Sequence, residues 1–62
     1  MTAEFLVIVK DGRFYGGGYE DVAVWVRGIE RANHFHIPRK ADQAAEALGG
    51  VVKVVRAEYT VL

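Results

Sequence analysis

Two valine-rich segments constrain this chain more than any other feature: EFLVIVK at residues 4–10 and VVKVVRAEYTVL at residues 51–62. Their β-branched and aromatic side chains favour strands. Successive side chains of a strand point to opposite faces of the sheet, and in both segments each face carries mainly apolar residues. An antiparallel sheet with one face in water alternates apolar and polar residues instead. The pattern therefore predicts a sheet that must be covered on both faces.

Two more strands and a connection are predicted between these segments. Asp11-Gly12 is a strong signal for a two-residue hairpin, because both residues accept positive φ. Residues 13–15 then return as a short second strand, and residues 22–26 (VAVWV) form a third. Residues 27–37 are predicted to be a connection with one turn of helix.

One helix is predicted to begin at Pro38, which suits a first helical turn, although Ile37 is a poor N-cap. Gly49 is the expected left-handed stop. Between them lies an apolar stripe at helical spacing, formed by Ala41, Ala44, Ala45 and Leu48. The sequence thus predicts one α+β domain over residues 1–62. It is an antiparallel sheet of three to four strands, in the order β-β-β-α-β, with one alanine-rich helix packed on one face.

The predicted helix can cover only one face of the sheet. An exposed apolar face of several hundred Å² usually marks an interface. We therefore expect a homodimer or a protein partner, with Val52, Val54 and Leu62 in the dimer interface. The alternative is that residues 27–37 fold over the second face. Trp25, the sole tryptophan, is expected to fill the space beneath the small alanines; the alternative is an anchor on the second face.

The triple glycine at residues 16–18 lacks the context of a phosphate-binding loop, which needs a following Lys-Ser/Thr or a helix N-terminus. Glu20 and Asp21 follow instead, and they would repel a phosphate. We interpret the glycines as a flexible link or bulge between strands. The flanking Tyr15 and Tyr19 are candidate partner contacts, because tyrosine is common at interfaces.

The residue types argue against catalysis and against a metal site. The chain has no serine and no cysteine, and its threonines, Thr2 and Thr60, lie near the two ends without a histidine neighbour in sequence, which disfavours nucleophilic catalysis by these residue types. His34 and His36 would point the same way in an extended segment, but a zinc site needs a third and usually a fourth ligand. We predict no enzyme, no cofactor and no metal site. Phe35, between the histidines, is expected to pack between the third strand and the helix.

Charge is unevenly distributed along the chain. The net charge is zero, which disfavours a uniformly basic nucleic-acid binder, yet residues 27–40 hold four basic residues against Glu30 alone, a local charge of +3 (4 − 1). Such a patch suits an acidic protein surface or a phosphate backbone. The candidate partner contacts in it are Arg27, Arg31, His34, His36, Arg39 and Lys40.

The longest apolar runs, residues 5–9 and 22–26, are five residues each, whereas a membrane span needs ~20. The N-terminus also lacks the basic start and cleavage site of a signal peptide. We expect a soluble, cytoplasmic protein that binds no membrane and no small-molecule substrate.

Four features together resemble a loose set of small proteins encoded by phages and prophages. They are a Lys-Asp-Gly-x-Phe-Tyr hairpin at residues 10–15, a strand bearing Trp25, an Ala-x-x-Phe element at residues 32–35, and an alanine-rich helix leading into Leu-Gly-Gly-Val-Val at residues 48–52. The resemblance implies a compact ββ(β)αβ fold without enzymatic residues. It also implies a host-takeover or anti-defence factor in the host cytoplasm, such as an anti-CRISPR protein, which acts by occupying a surface.

The expected function is therefore a non-enzymatic protein-binding module. It would occlude the surface of a host protein or serve as a dimeric accessory factor. The alternative is a nucleic-acid-binding module that uses the basic segment 27–40 beside the sheet.

Overall fold

The computed structural model describes residues 2–18, 20–58 and 60. Over these residues the chain forms four strands and one helix, in the predicted order. They are β1 (Thr2–Lys10), β2 (Arg13–Gly17), β3 (Val24–Val26), α1 (Pro38–Leu48) and β4 (Val51–Glu58). The four strands form one antiparallel sheet with the spatial order β3-β2-β1-β4. The predicted α+β fold is confirmed, while Tyr59, Val61 and Leu62 of the predicted last strand lie outside the described residues.

The β1–β2 hairpin has the predicted two-residue turn. Asp11 has φ 51° and Gly12 has φ 75°, so Lys10 pairs with Arg13 and Val9 with Phe14. On its other side β1 pairs with β4 along almost its whole length, from Thr2↔Glu58 to Val9↔Val51. β1 is therefore the central strand that fixes the positions of the others.

The third strand is shorter than predicted, because residues Glu20–Val22 form a 3-10 turn and β3 begins at Val24. The chain doubles back closely on Gly18, which has φ 90°; a Cβ atom there would lie 2.5 Å from the Val22 carbonyl oxygen. The register of β2 against β3 shifts between Tyr15 and Gly17. The glycines thus form a bulge and a tight bend, in agreement with the structural interpretation of this stretch.

The helix has the predicted bounds and covers one face of the sheet. Gly49 ends it with φ 73° and donates its backbone N–H to the Ala45 carbonyl. Ala45 is buried together with Ile8 and Tyr15. Half-buried residues complete this cluster, which we call the helix-side core: Ala23, Trp25, Phe35, Ala44, Leu48 and Val52. Trp25 and Phe35 therefore lie beneath the helix, where the sequence placed them.

The second face is covered in part by Ala32 and His34, which corrects the expectation that it stays open. Ala32 is buried against Phe5 and Val7, and the His34 ring stacks on Phe5 with centroids 3.8 Å apart. Half-buried residues surround this second core, namely Val9, Phe14, Val55 and Ala57. The alternative considered from the sequence, in which the connection folds over the second face, is thus the arrangement found.

Candidate interaction surfaces

The outer edge of β4 is a long unpaired strand edge. β4 pairs with β1 on one side, and within the described residues nothing pairs with its other side. Its eight residues span about 27 Å at ~3.4 Å per residue. Val51 is 58% exposed and Val54 is 68% exposed. This edge therefore presents both unsatisfied backbone groups and apolar side chains to solvent.

The predicted dimer-interface residues differ in accessibility. Val52 pairs with Ile8 and Val54 with Leu6, so both lie on the face that the helix covers. Val52 is half-buried in the helix-side core, which corrects its assignment to an uncovered face. Val54 lies beside the start of the helix, where a recess is lined by Leu6, Phe35, Pro38 and Val54. Leu62 lies outside the described residues.

A basic recess lies at the hairpin end of the sheet. Its lining includes Trp25, Glu30 and three arginines, namely Arg13, Arg27 and Arg31. An adjoining hollow is lined by Lys10, Asp11, Arg13 and Trp25. The Lys10 ammonium lies 5.7 Å from the Trp25 ring centroid and donates a hydrogen bond of 3.1 Å to the Leu48 carbonyl. We call these cations and the tryptophan the Trp25 recess.

The fold divides the basic segment 27–40, which therefore does not form one patch. Arg27 and Arg31 line the Trp25 recess. Arg39 and Lys40 lie in the first turn of α1. The opposite end of this helix, at Leu48, contacts Lys10 at the hairpin end of the sheet. An 11-residue helix is about 16 Å long, so the two groups are separated by roughly that distance. His36 lines the recess beside Pro38, and His34 stacks on Phe5 on the second face.

Tyr15, a predicted partner contact because of its place beside the glycines, is buried in the helix-side core. It is 9% exposed, and its ring lies edge-on to Trp25 and parallel to Phe35. Its hydroxyl donates to the Gly18 carbonyl. The tyrosine thus anchors the glycine bend to the helix-side core. Tyr19 lies outside the described residues.

Sequence reasoning missed Lys10 and Arg13 as members of the basic cluster. They stand 14 or more residues before Arg27, and only the pairing of β1, β2 and β3 brings them beside it. The Asp11-Gly12 turn could have indicated that Lys10 and Arg13 lie side by side, because a two-residue turn places its flanking residues opposite each other.

Three observations concern other functions. Among the described residues, no group of three or more His, Cys, Asp and Glu side chains is placed to hold a metal ion. Within the same residues, no helix has the length and apolarity to cross a membrane. Comparison with protein-family models, curated proteins and solved structures finds no match to this chain.

Proposed function

We propose that this chain is a non-enzymatic protein-binding module that forms a homodimer by pairing the edge of β4 with β4 of a second copy. The supporting observation is the eight-residue outer edge with Val54 68% exposed beside it. Natural proteins protect sheet edges by keeping them short, bulged, charged or covered. The opposite edge, β3, has three residues and an adjacent bulge, whereas β4 has eight residues and is protected by three charged side chains, Lys53, Arg56 and the terminal Glu58.

Charge restricts the register of such a dimer. Antiparallel pairing of two identical edges places a two-fold axis perpendicular to the sheet, so the residue on the axis faces its own copy. An axis at Lys53 or Arg56 would oppose like charges directly, which is unfavourable. When the axis passes through Val54, the two Val54 residues face each other. Residues 51–57 of one copy then pair with residues 57–51 of the other. Val54 is the most exposed large apolar side chain of the described residues, and this register buries it against its own copy.

The mode of binding would be strand addition. Backbone hydrogen bonds between the two β4 strands supply affinity, and side chains on alternate positions supply specificity. The combined sheet would have eight strands, with both helices on the same face. The resemblance to small phage-encoded proteins that occupy surfaces agrees with a module of this kind, since a dimer presents its remaining surfaces twice.

Light scattering coupled to size exclusion tests the dimer. The chain has a mass of 6.9 kDa, so we expect 13.8 kDa (2 × 6.9) at about 100 µM, where interfaces of moderate affinity are occupied. Val54→Lys is expected to give the monomer, because it sets two cations across the axis. Val22→Lys is the matched control: Val22 is 63% exposed on the 3-10 turn, away from β4. A monomeric wild type, or a dimeric Val54→Lys, would overturn the proposal.

A single cysteine tests the register. The chain has no cysteine, so Val54→Cys introduces the sole thiol. Directly opposed residues of antiparallel strands have Cα atoms ~4.5–5.5 Å apart, which lies within the range that a disulfide bridges. Mild oxidation is expected to give a disulfide-linked dimer with Val54→Cys and not with Val22→Cys. Equal cross-linking of both variants would show random collision and refute this register.

A further inference from the structure

Three cations lie on neighbouring strands at the hairpin end of the sheet. Lys10 pairs directly with Arg13. Arg27 follows Val26, which pairs with Phe14, so Arg27 leaves the sheet beside Arg13. Like charges opposite each other destabilise a sheet. The single side-chain ion pair among the described residues joins Arg56 and Glu4, so no carboxylate of that part of the chain lies within ion-pair distance of these three cations. The repulsion among these cations costs stability. Contacts within the chain offset this cost for Lys10, whereas Arg13 and Arg27 make no side-chain hydrogen bond or ion pair among the described residues and are therefore expected to serve a ligand.

The Trp25 recess concentrates positive charge in a chain of zero net charge. Its lining and that of the adjoining hollow hold four cations and two acids, a local charge of +2 (4 − 2). They are Lys10, Arg13, Arg27 and Arg31, with Asp11 and Glu30. The Glu30 carboxylate lies against the backbone of Gly28 at one side of the recess. The recess has a volume of about 530 Å³, which is within the range of ligand sites. All four cations are exposed.

We propose that the Trp25 recess binds single-stranded nucleic acid, with a base packed against the exposed part of the Trp25 ring and phosphates held by Arg13, Arg27 and Arg31. A cationic groove beside an aromatic ring is the combination that binds single strands without sequence preference. An acidic peptide would use the arginines and leave the ring without a role. The recess borders β2 and β3, whereas the proposed dimer edge is β4 at the other side of the sheet, so this proposal does not depend on the dimer.

Trp25 fluorescence reports directly on this site, because Trp25 is the sole tryptophan. We expect a 12-nucleotide oligothymidylate to quench it in 50 mM NaCl. Binding to single strands weakens with salt by a slope of about −0.7 per neutralised phosphate. Three arginine contacts therefore predict a slope near −2, or about 20-fold weaker binding at 200 mM NaCl. Absence of binding at 50 mM NaCl would refute the proposal.

Charge-matched variants locate the contact. Arg13→Gln is expected to lower the salt slope by about 0.7 and to weaken binding. Arg39→Gln removes the same charge in the first turn of α1 and is expected to leave the slope unchanged. If both variants changed the salt slope and the affinity equally, binding would depend on the net charge of the chain, and the assigned site would be wrong.

The ligand can be varied without disturbing the core around Trp25. A base–aromatic contact contributes ~1–3 kcal/mol, which corresponds to about 5- to 150-fold in affinity. An abasic oligonucleotide of equal length is therefore expected to bind weaker by that factor and to quench Trp25 less. If the abasic strand or polyglutamate of equal charge binds as tightly as oligothymidylate, the recess recognises polyanions in general and the proposal fails.

Discussion

Leu6 and Phe35 exchange both of their backbone hydrogen bonds, each 2.8 Å long. β2 pairs with β1 only at Val9 and Lys10, and residues 33–35 enter the gap that opens beyond these pairs. The Asn33 N–H also donates to the Tyr15 carbonyl at 2.8 Å. Residues 32–35 therefore lie between β1 and β2 like a short extra strand.

This insertion explains how a chain with one described helix covers two apolar faces. Alternate residues of an extended segment point to opposite faces. Ala32 and His34 accordingly contact the second face, at Val7 and Phe5, while Phe35 packs in the helix-side core. One short segment thus contributes side chains to both cores.

Ala32→Leu is expected to destabilise the fold by about 1–3 kcal/mol, because a larger side chain at a closely packed site strains its neighbours. Ala32 is 8% exposed and packs against Phe5 and Val7. Urea unfolding followed by circular dichroism measures the effect. Ala47→Leu on the exposed part of α1 is the control and should change stability by no more than ~0.5 kcal/mol. Coincident unfolding curves for the two variants would show that Ala32 does not cover the second face.

The elements that could be predicted from sequence are those encoded by local chemistry. Asp11-Gly12 requires positive φ at two positions, and Gly49 requires it at the end of a helix with an apolar stripe. The sequence left open whether residues 27–37 fold over the second face, because their path depends on backbone hydrogen bonds between Leu6 and Phe35, which residues other than proline can form. The late start of β3 likewise follows from the close approach of Gly18 and Val22.

The candidate sites were predictable only in part, for a related reason. Both faces of the sheet are apolar, so alternation does not reveal which face the helix covers. Val52 was therefore assigned to a binding surface, although it packs beneath the helix; Tyr15, which was assigned from its place beside the glycines, packs there as well. Arg27 and Arg31 were identified from their charge, while Arg13 required the register of the hairpin.

Gly49 and Gly50 are expected to resist substitution for different reasons. Gly49 has φ 73°, and its added Cβ would meet only the Lys10 ammonium at 3.7 Å. Gly49→Ala should therefore cost about 1–2 kcal/mol of backbone strain, and Gly49→Asn should cost less, because asparagine tolerates this conformation.

A Cβ atom on Gly50 would lie 2.5 Å from Ile8 Cγ2 and 3.1 Å from the Val9 carbonyl oxygen. Gly50→Ala and Gly50→Asn are therefore both expected to destabilise by about 1–3 kcal/mol. Thermal unfolding of the four variants distinguishes the two causes. If asparagine were tolerated equally at both positions, the steric explanation for Gly50 would be wrong.

Lys10→Met is expected to lower stability by about 0.5–1 kcal/mol, because two favourable contacts of the ammonium outweigh its repulsion of Arg13. The ammonium donates to the Leu48 carbonyl at the helix C-terminus, where a cation interacts favourably with the helix dipole, and it lies near the Trp25 ring, where a cation–π contact contributes a similar amount. Lys53→Met removes an exposed cation from β4 and serves as control. We also expect Lys10→Met to shift the emission of Trp25 and Lys53→Met to leave it unchanged; identical spectra for all three proteins would exclude the contact.

Glu4 and Arg56 form an ion pair of 2.8 Å across β1 and β4, with side chains 55% and 70% exposed. Exposed pairs of this kind contribute ~0.2–1 kcal/mol, so we expect a coupling energy in that range from a double-mutant cycle with Glu4→Gln and Arg56→Gln. The cycle should be measured at a protein concentration at which the chain is monomeric, because self-association through β4 would otherwise add to the stability. In 1 M NaCl, where the screening length is ~3 Å, the coupling should fall towards zero. A coupling energy above ~1.5 kcal/mol that persists in salt would show that the pair is shielded from solvent, contrary to its exposure.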